Sequence, residues 1–156
     1  MTMSVDGHAI SFQDLIIDLE SIARRFVESY DWLGCDMLKA CCDMFASDFS
    51  FHCPADPNQV SFAGEWYGLS GFQEFLNRFF ATFTRNAGTL KPIYMVSQNR
   101  VVARFKDEVC FHGYEPLALW VNLHFQFQDG FLIRIDDEFY SLNLSQFLER
   151  MRLVQI

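Results

Sequence analysis

The chain has 156 residues, 51% of them hydrophobic and 17% aromatic, which is ample for one domain with a real core. Asp and Glu number 20 against 12 Lys and Arg, a net charge of -8 with no basic run, so a surface that tracks a phosphate backbone is excluded. No apolar run approaches the ~20 residues that span a bilayer, and the polar start Met-Thr-Met-Ser lacks a signal peptide's basic and apolar regions.

The expectation is a soluble cytoplasmic protein with neither nucleic-acid nor membrane partners. Five cysteines (35, 41, 42, 53 and 110) without a CxxC pair suggest neither a disulfide framework nor a metal site. Residues 1–156 read as a single domain, with 1–10 a disordered or loosely held N-terminus.

In chain order, Ser11 and Asp14 approximate a capping box, after which Leu15, Ile16, Leu19, Ile22, Ala23, Phe26, Val27 and Tyr30 recur at helical spacing. Gly34 can end this first helix. Leu38, Cys41, Cys42 and Phe45 then make the stripe of a second helix over about Asp36–Ala46. Phe49, Phe51 and Cys53 alternate with Ser50 and His52, a short strand stopped by Pro54. Residues 54–68 carry no period and read as a long loop, of the kind that often forms a lid. Ser70 and Gln73 offer another capping box, followed by an aromatic helical face of Phe72, Phe75, Leu76, Phe79, Phe80 and Phe83. Strands follow near 90–97 and 100–112, then a long hairpin over 117–142 turning at Gln128-Asp129-Gly130, and a closing helix over about Leu144–Arg152.

The hairpin supplies the sharpest clue. On its first arm Leu119, Val121, Leu123, Phe125 and Phe127 share one face, and on its second arm Phe131, Ile133, Ile135, Asp137 and Phe139 share one. Asp137 is the wrong residue for a core, because a carboxylate in an apolar interior pairs, shifts its pKa or lines a wet cavity.

The element order, the spacing Phe45, Asp48, Phe51, Pro54, the helix opening Leu69-Ser70-Gly71-Phe72 and the run FQDGFLIRIDDEF together resemble the SnoaL-like polyketide cyclase family. That family lies in the nuclear transport factor two-like superfamily, beside ketosteroid isomerase and limonene-epoxide hydrolase. The resemblance implies an α+β fold whose strongly curved, mixed or antiparallel sheet wraps a long helix as a cone-shaped, cystatin-like barrel. It places Cys53 where ketosteroid isomerase has its base aspartate, and Asn122 or Leu123 near that enzyme's acidic donor. It places Asp137 and Asp107 at the two aspartates of limonene-epoxide hydrolase, with Phe105 where the bridging arginine would stand.

Asp137 and Asp107 are therefore the candidate catalytic pair. For Asp137 the alternative is a register slip or bulge that leaves Asp136 inside or turns both acids outward. For Asp107, which shares the Val101, Ala103, Phe105 and Val109 face, the alternative is a solvated Lys106-Asp107-Glu108 bend. His52 and Cys53 are strand neighbours on opposite faces, so Cys53 reads as an apolar filler of the pocket wall rather than half of a dyad. Phe79, Phe105 and Phe139 complete the expected ligand wall, while Trp66 and Tyr67 either close over a ligand or plug the mouth.

Trp120, Asn122 and His124 mark an uncovered sheet face suited to a homodimer contact. No glycine-rich phosphate loop, GxSxG or HExxH is present, and no cofactor is expected. The function expected is cofactor-free acid/base isomerisation, cyclisation or epoxide opening on a small apolar cyclic metabolite; the alternative is a non-catalytic binding or assembly module.

Overall fold

A computed structural model describes residues 2–5, 8–111 and 116–139, with positions 146, 148 and 149 near the C-terminus. The expected closing helix otherwise lies outside the described residues. Strands β1 (Thr2–Val5) and β2 (His8–Ser11) pair antiparallel as a separate ribbon and lead into helix α1 (Phe12–Leu33). Leu19, Ala23, Phe26 and Val27 are buried along one stripe of α1, the face that its 3.6-residue period marks. Gly34, at φ +57, turns the chain out of the helix.

The second helix is much shorter than its stripe suggests. Two 3₁₀ turns, Gly34–Asp36 and Cys42–Met44, flank a single α-turn, α2 (Leu38–Cys41), and Phe45 is already extended at φ -91, ψ 138. Met37, Cys41 and Met44 are buried by these turns, while Phe45 begins strand β3 (Phe45–Cys53). Pairing of Phe45 with the sheet thus overrides a pattern compatible with helix.

The expected long loop contains strand β4 (Gly64–Tyr67), which leads directly into α3 (Gly68–Thr82). Strands β5 (Ile93–Ser97), β6 (Arg100–Val109), β7 (Leu117–Gln128) and β8 (Phe131–Phe139) complete a six-stranded sheet of order β4-β3-β8-β7-β6-β5. Every pairing is antiparallel except β3 with β8, which is parallel.

The sheet does not close, which overturns the expected cone-shaped barrel. Closure needs the two outermost strands to share a hydrogen-bonded ladder. Here those strands are β4 and β5, with four and five residues, and the other four strands separate them. Helices α1 and α3 pack on the sheet's inner face and bury it, and this open α+β layer arrangement replaces the wrapped cone.

The hairpin departs from simple alternation at one place. Phe127 pairs with Leu132 but Gln126 pairs with Arg134, so Ile133 is the extra residue of a β-bulge. The bulge reverses the expected facing at the turn: Leu132 is 0% exposed and Phe131 50%. Beyond it the expected facing holds, with Ile135, Asp137 and Phe139 turned inward.

The core between helices and sheet is dominated by phenylalanine. Phe79 sits in the last turn of α3 with ring centroids of Phe62, Phe75, Phe80 and Phe83 at 5.2–6.0 Å. Phe79→Ala is expected to cost roughly 3–5 kcal/mol, as for other buried phenylalanines. Urea unfolding checks this, and a loss below about 1 kcal/mol would show that the α3 stripe contributes little to the core.

Candidate functional site

Alternation along two strands brings carboxyl groups to the inner face of the sheet. On β6 the odd-numbered residues from Val101 to Val109 are buried, Asp107 among them, so Lys106-Asp107-Glu108 is regular strand and not a solvated bend. On β8 the bulge at Ile133 fixes which of two successive acids faces inward. Continued from buried Leu132 without a bulge, the alternation would put Arg134 and Asp136 inside; with it, Asp137 pairs with inward-facing Leu123 and lines the interior. Asp136 instead turns outward to Arg134, whose Nη2 donates to its Oδ1 at 2.8 Å.

Between this face and the two helices lies a cavity. The centre of a water-sized sphere can range over about 60 Å³ there, several times the ~10–15 Å³ that one water needs on that measure. Asp137, Asp107, Cys53, Phe79, Phe105 and Phe139 all line it, as does Tyr30 of α1. Trp66 and Tyr67 do not. Trp66 is pinned by its Nε1 donating to the Phe62 carbonyl at 3.0 Å, and Tyr67 is 69% exposed. Asn122 and His52 lie on the outer face, where Asn122 donates to Glu138 at 3.0 Å and His52 Nδ1 is 3.2 Å from Glu65. His52 and Cys53 therefore form no dyad. Burial also pushes the Cys53 thiol far above its ordinary pKa, which leaves it a packing group.

The two cavity acids have opposite surroundings. Asp107 is fully engaged: Tyr30 Oη donates to its Oδ2 at 2.6 Å and Arg85 Nε donates to its Oδ1 at 2.9 Å. Arg85 reaches back to Asp31, its Nη2 donating to Oδ1 at 2.8 Å and its Nη1 to the backbone carbonyl at 2.9 Å. The Asp31 carboxylate also accepts the backbone N–H groups of Gly88, Thr89 and Leu90 at 3.1–3.3 Å. The side chains of this chain of ions are 3–8% exposed. Burial raises the Asp107 pKa above its ordinary value; the Arg85 cation and the Tyr30 hydrogen bond oppose the rise without cancelling it.

Asp137 has no such support. Its Oδ1 is buried without a hydrogen-bond partner. Burial, with Asp107 nearby as a second cause, raises its pKa to about 7, and only the backbone N–H of Glu138 pulls the other way. The residue is half-buried overall because it borders the cavity, yet its Oδ1 is sealed.

Sequence reasoning missed Arg85, Asp31 and Tyr30 as parts of this site. Arg85 follows the aromatic stripe of α3 in a segment without periodicity, and Tyr30 reads as one more apolar position of α1. Among the described residues no cluster of three His, Cys, Asp or Glu side chains is placed to hold a metal ion.

A carboxyl that loses its proton near pH 4 when unfolded and near pH 7 when folded makes the native state bind more protons between those values. Stability then falls as pH rises through that window, by at most about 4 kcal/mol. Asp137→Asn removes the effect, so the stability of the variant relative to wild type is expected to climb by up to that amount from pH 4 to pH 8. Urea unfolding of both proteins across the range checks it; a constant difference would show that Asp137 ionises normally.

No protein-family model matches the chain, and no curated protein matches it. Solved structures do. A crystal structure of TerC co-crystallized with polyporic acid superposes with a TM-score of 0.69 at 18% identity, covering 82% of this chain and 98% of that one. An NTF2-like protein of unknown function from Burkholderia pseudomallei gives 0.71 at 16% identity, covering 84% and 97%. An NTF2-like protein from Anabaena variabilis gives 0.65 at 21%, covering 84% and 93%. At these identities the likeness is one of fold, and the fold of this chain is that of the NTF2-like proteins.

Proposed function

We propose that the chain is an acid/base enzyme that moves a proton on a small apolar cyclic molecule, with Asp137 as the group that carries it. The observation behind this reading is the Asp137 carboxyl, one oxygen of it unpartnered in an aromatic cavity, with its pKa raised to about 7. A group with that pKa can both give and take a proton at neutral pH, which is what general acid/base catalysis asks for. Phe79, Phe105, Phe139 and Cys53 supply the apolar wall that shapes the ligand and excludes water.

Asp107 is engaged at both oxygens, so it serves as a fixed charge beside Asp137 rather than as a second free base. That favours isomerisation or cyclisation, in which one carboxyl removes a proton at one atom and returns it at another. Epoxide hydrolysis requires one group to activate water while another protonates the leaving oxygen. Among the families of this fold, the last-strand acid supports the SnoaL-like cyclases, and the co-crystal of TerC with polyporic acid supports a small-molecule ligand. The alternative, a non-catalytic binding or assembly module, is favoured by that same full engagement of Asp107. Five free cysteines support a reducing, cytoplasmic setting.

Asp137→Asn keeps the shape and deletes the titrating group. Turnover of an apolar ketone, enol or epoxide that the wild type converts is expected to fall by about 10²–10⁴-fold with ligand affinity retained. A fully active variant would make Asp137 structural.

We also propose a homodimer through the outer sheet face around Trp120, Asn122 and His124. Trp120, Ile93 and Met95 are exposed on that face. Arg100, Arg104 and Lys106 of β6, with Glu108 beyond them, flank β7 on one side, and Asp136 and Glu138 of β8, with Arg134 paired to Asp136, flank it on the other. A two-fold axis through β7 would set unlike charges against each other. Light scattering at micromolar concentration is expected to give twice the chain mass; a monomer would contradict the interface.

A further inference from the structure

We infer that Arg85 is a positioning residue: together with Tyr30 it holds Asp107 as the carboxylate, and so leaves the one exchangeable proton of the cavity's carboxyl pair on Asp137. The inference rests on the acid/base reading of Asp137 and adds the device that decides which acid is loaded. Arg85 does not line the cavity, so it acts through Asp107 and Tyr30, which do.

The geometry carries the assignment. Both donors aimed at Asp107, the Arg85 Nε–H and the Tyr30 hydroxyl, suit an ionised acceptor, and they occupy one oxygen each. A proton on Asp107 would have to sit beside the Arg85 cation or turn the Tyr30 hydroxyl round from donor to acceptor. Asp137 has one buried oxygen, Oδ1, without a hydrogen-bond partner, and among the described residues no cation acts on it. Around it, among the described residues, Tyr30 of α1, Cys53 of β3 and Asp107 of β6 are the titratable groups lining the cavity, and α3 and β7 present apolar side chains there. Glu138, next along β8, faces outward to Asn122. Two carboxyls in one apolar enclosure resist double ionisation, and the member without a cation keeps the proton.

Arg85 is itself held in place. Asp31 takes the far side of its guanidinium, and the same Asp31 carboxylate is fastened by three backbone N–H groups of residues 88–90. The cation therefore cannot swing toward Asp137 without breaking that anchorage. The guanidinium also lies 4.8 Å over the Tyr30 ring, which seats the hydroxyl that completes the Asp107 pair.

The test is a carboxyl-carbon NMR titration of aspartate-labelled protein, with Asp137 and Asp107 assigned by loss of signal in Asp137→Asn and Asp107→Asn. In the wild type Asp107 is expected to ionise at lower pH than Asp137. Asp107→Asn should lower the Asp137 midpoint by about one pH unit or more. Arg85→Met should reverse the order of the two acids, and Arg85→Lys, which retains the charge, should restore it. Tyr30→Phe should narrow the gap. If Arg85→Met fails to fold, the near-isosteric Asp107→Asn and Tyr30→Phe decide the matter. An Asp137 midpoint unchanged in both, or an Asp107 that ionises after Asp137 in the wild type, overturns the proposal. Because the readout is a titration, an inactive protein with the expected order would refute catalysis and uphold the proton assignment. An active protein with the opposite order would do the reverse.

Discussion

The buried guanidinium of Arg85 is the constraint on which this site depends. It joins the C-terminal end of α1, the segment after α3 and the C-terminal part of β6, three parts of the chain far apart in sequence. Breaking a buried ion pair by removing one partner typically costs about 3–5 kcal/mol, because the charge left behind is uncompensated. Arg85 satisfies two buried carboxylates at once. The cavity's second acid is left outside the arrangement, and the contrast between a clamped Asp107 and an Asp137 with one oxygen unpartnered is what gives the interior a chemical direction. A cation beside Asp137 as well would favour the ionised form of both acids.

The bulge at Ile133 is the second determinant. Strand side chains alternate strictly, so one extra residue between Leu132 and Arg134 decides which of two successive aspartates enters the cavity. The rejected partner, Asp136, is compensated on the outer face by Arg134, which also binds Glu65 with its Nη2 at 2.8 Å and Ser50 with its Nη1 at 2.9 Å. Polar groups on one face and aromatic rings on the other thus fix the register from both sides. The open sheet is no handicap to the cavity, since α1 and α3 provide the opposite wall that closure would otherwise have supplied.

Much of this was legible in the amino-acid pattern, because period-two and period-3.6 alternation report burial directly. Asp137 and Asp107 stand out as acids at apolar positions, and both line the cavity. Phe131 and Ile133 were read on the wrong side, since a bulge leaves no trace in alternation. The turns over residues 34–44 look helical because Leu38, Cys41, Cys42 and Phe45 are spaced as a helix face, and only pairing of Phe45 with β8 shows otherwise. Trp66 and Tyr67 sit in a stretch rich in glycine and proline that conceals a four-residue strand. Arg85 could not be found by likeness to an epoxide hydrolase, whose arginine position holds Phe105 here. The cation reaches Asp107 from another element altogether, and a contact between residues 85 and 107 is a property of the fold rather than of local sequence. Barrel closure likewise depends on which strands meet at the edges, and no local pattern encodes that.

The central claim is that a neutral carboxylic acid exists inside this cavity at near-neutral pH, and infrared difference spectroscopy addresses it without substrate. Wild type minus Asp137→Asn, recorded at pH 6, should show the carbonyl band of a protonated carboxylic acid in the wild type, and that band should fade as the pH is raised through about 7. If the difference instead shows only ionised carboxylate at pH 6, Asp137 has a compensating partner, and the account of a proton held ready in an apolar cavity is contradicted.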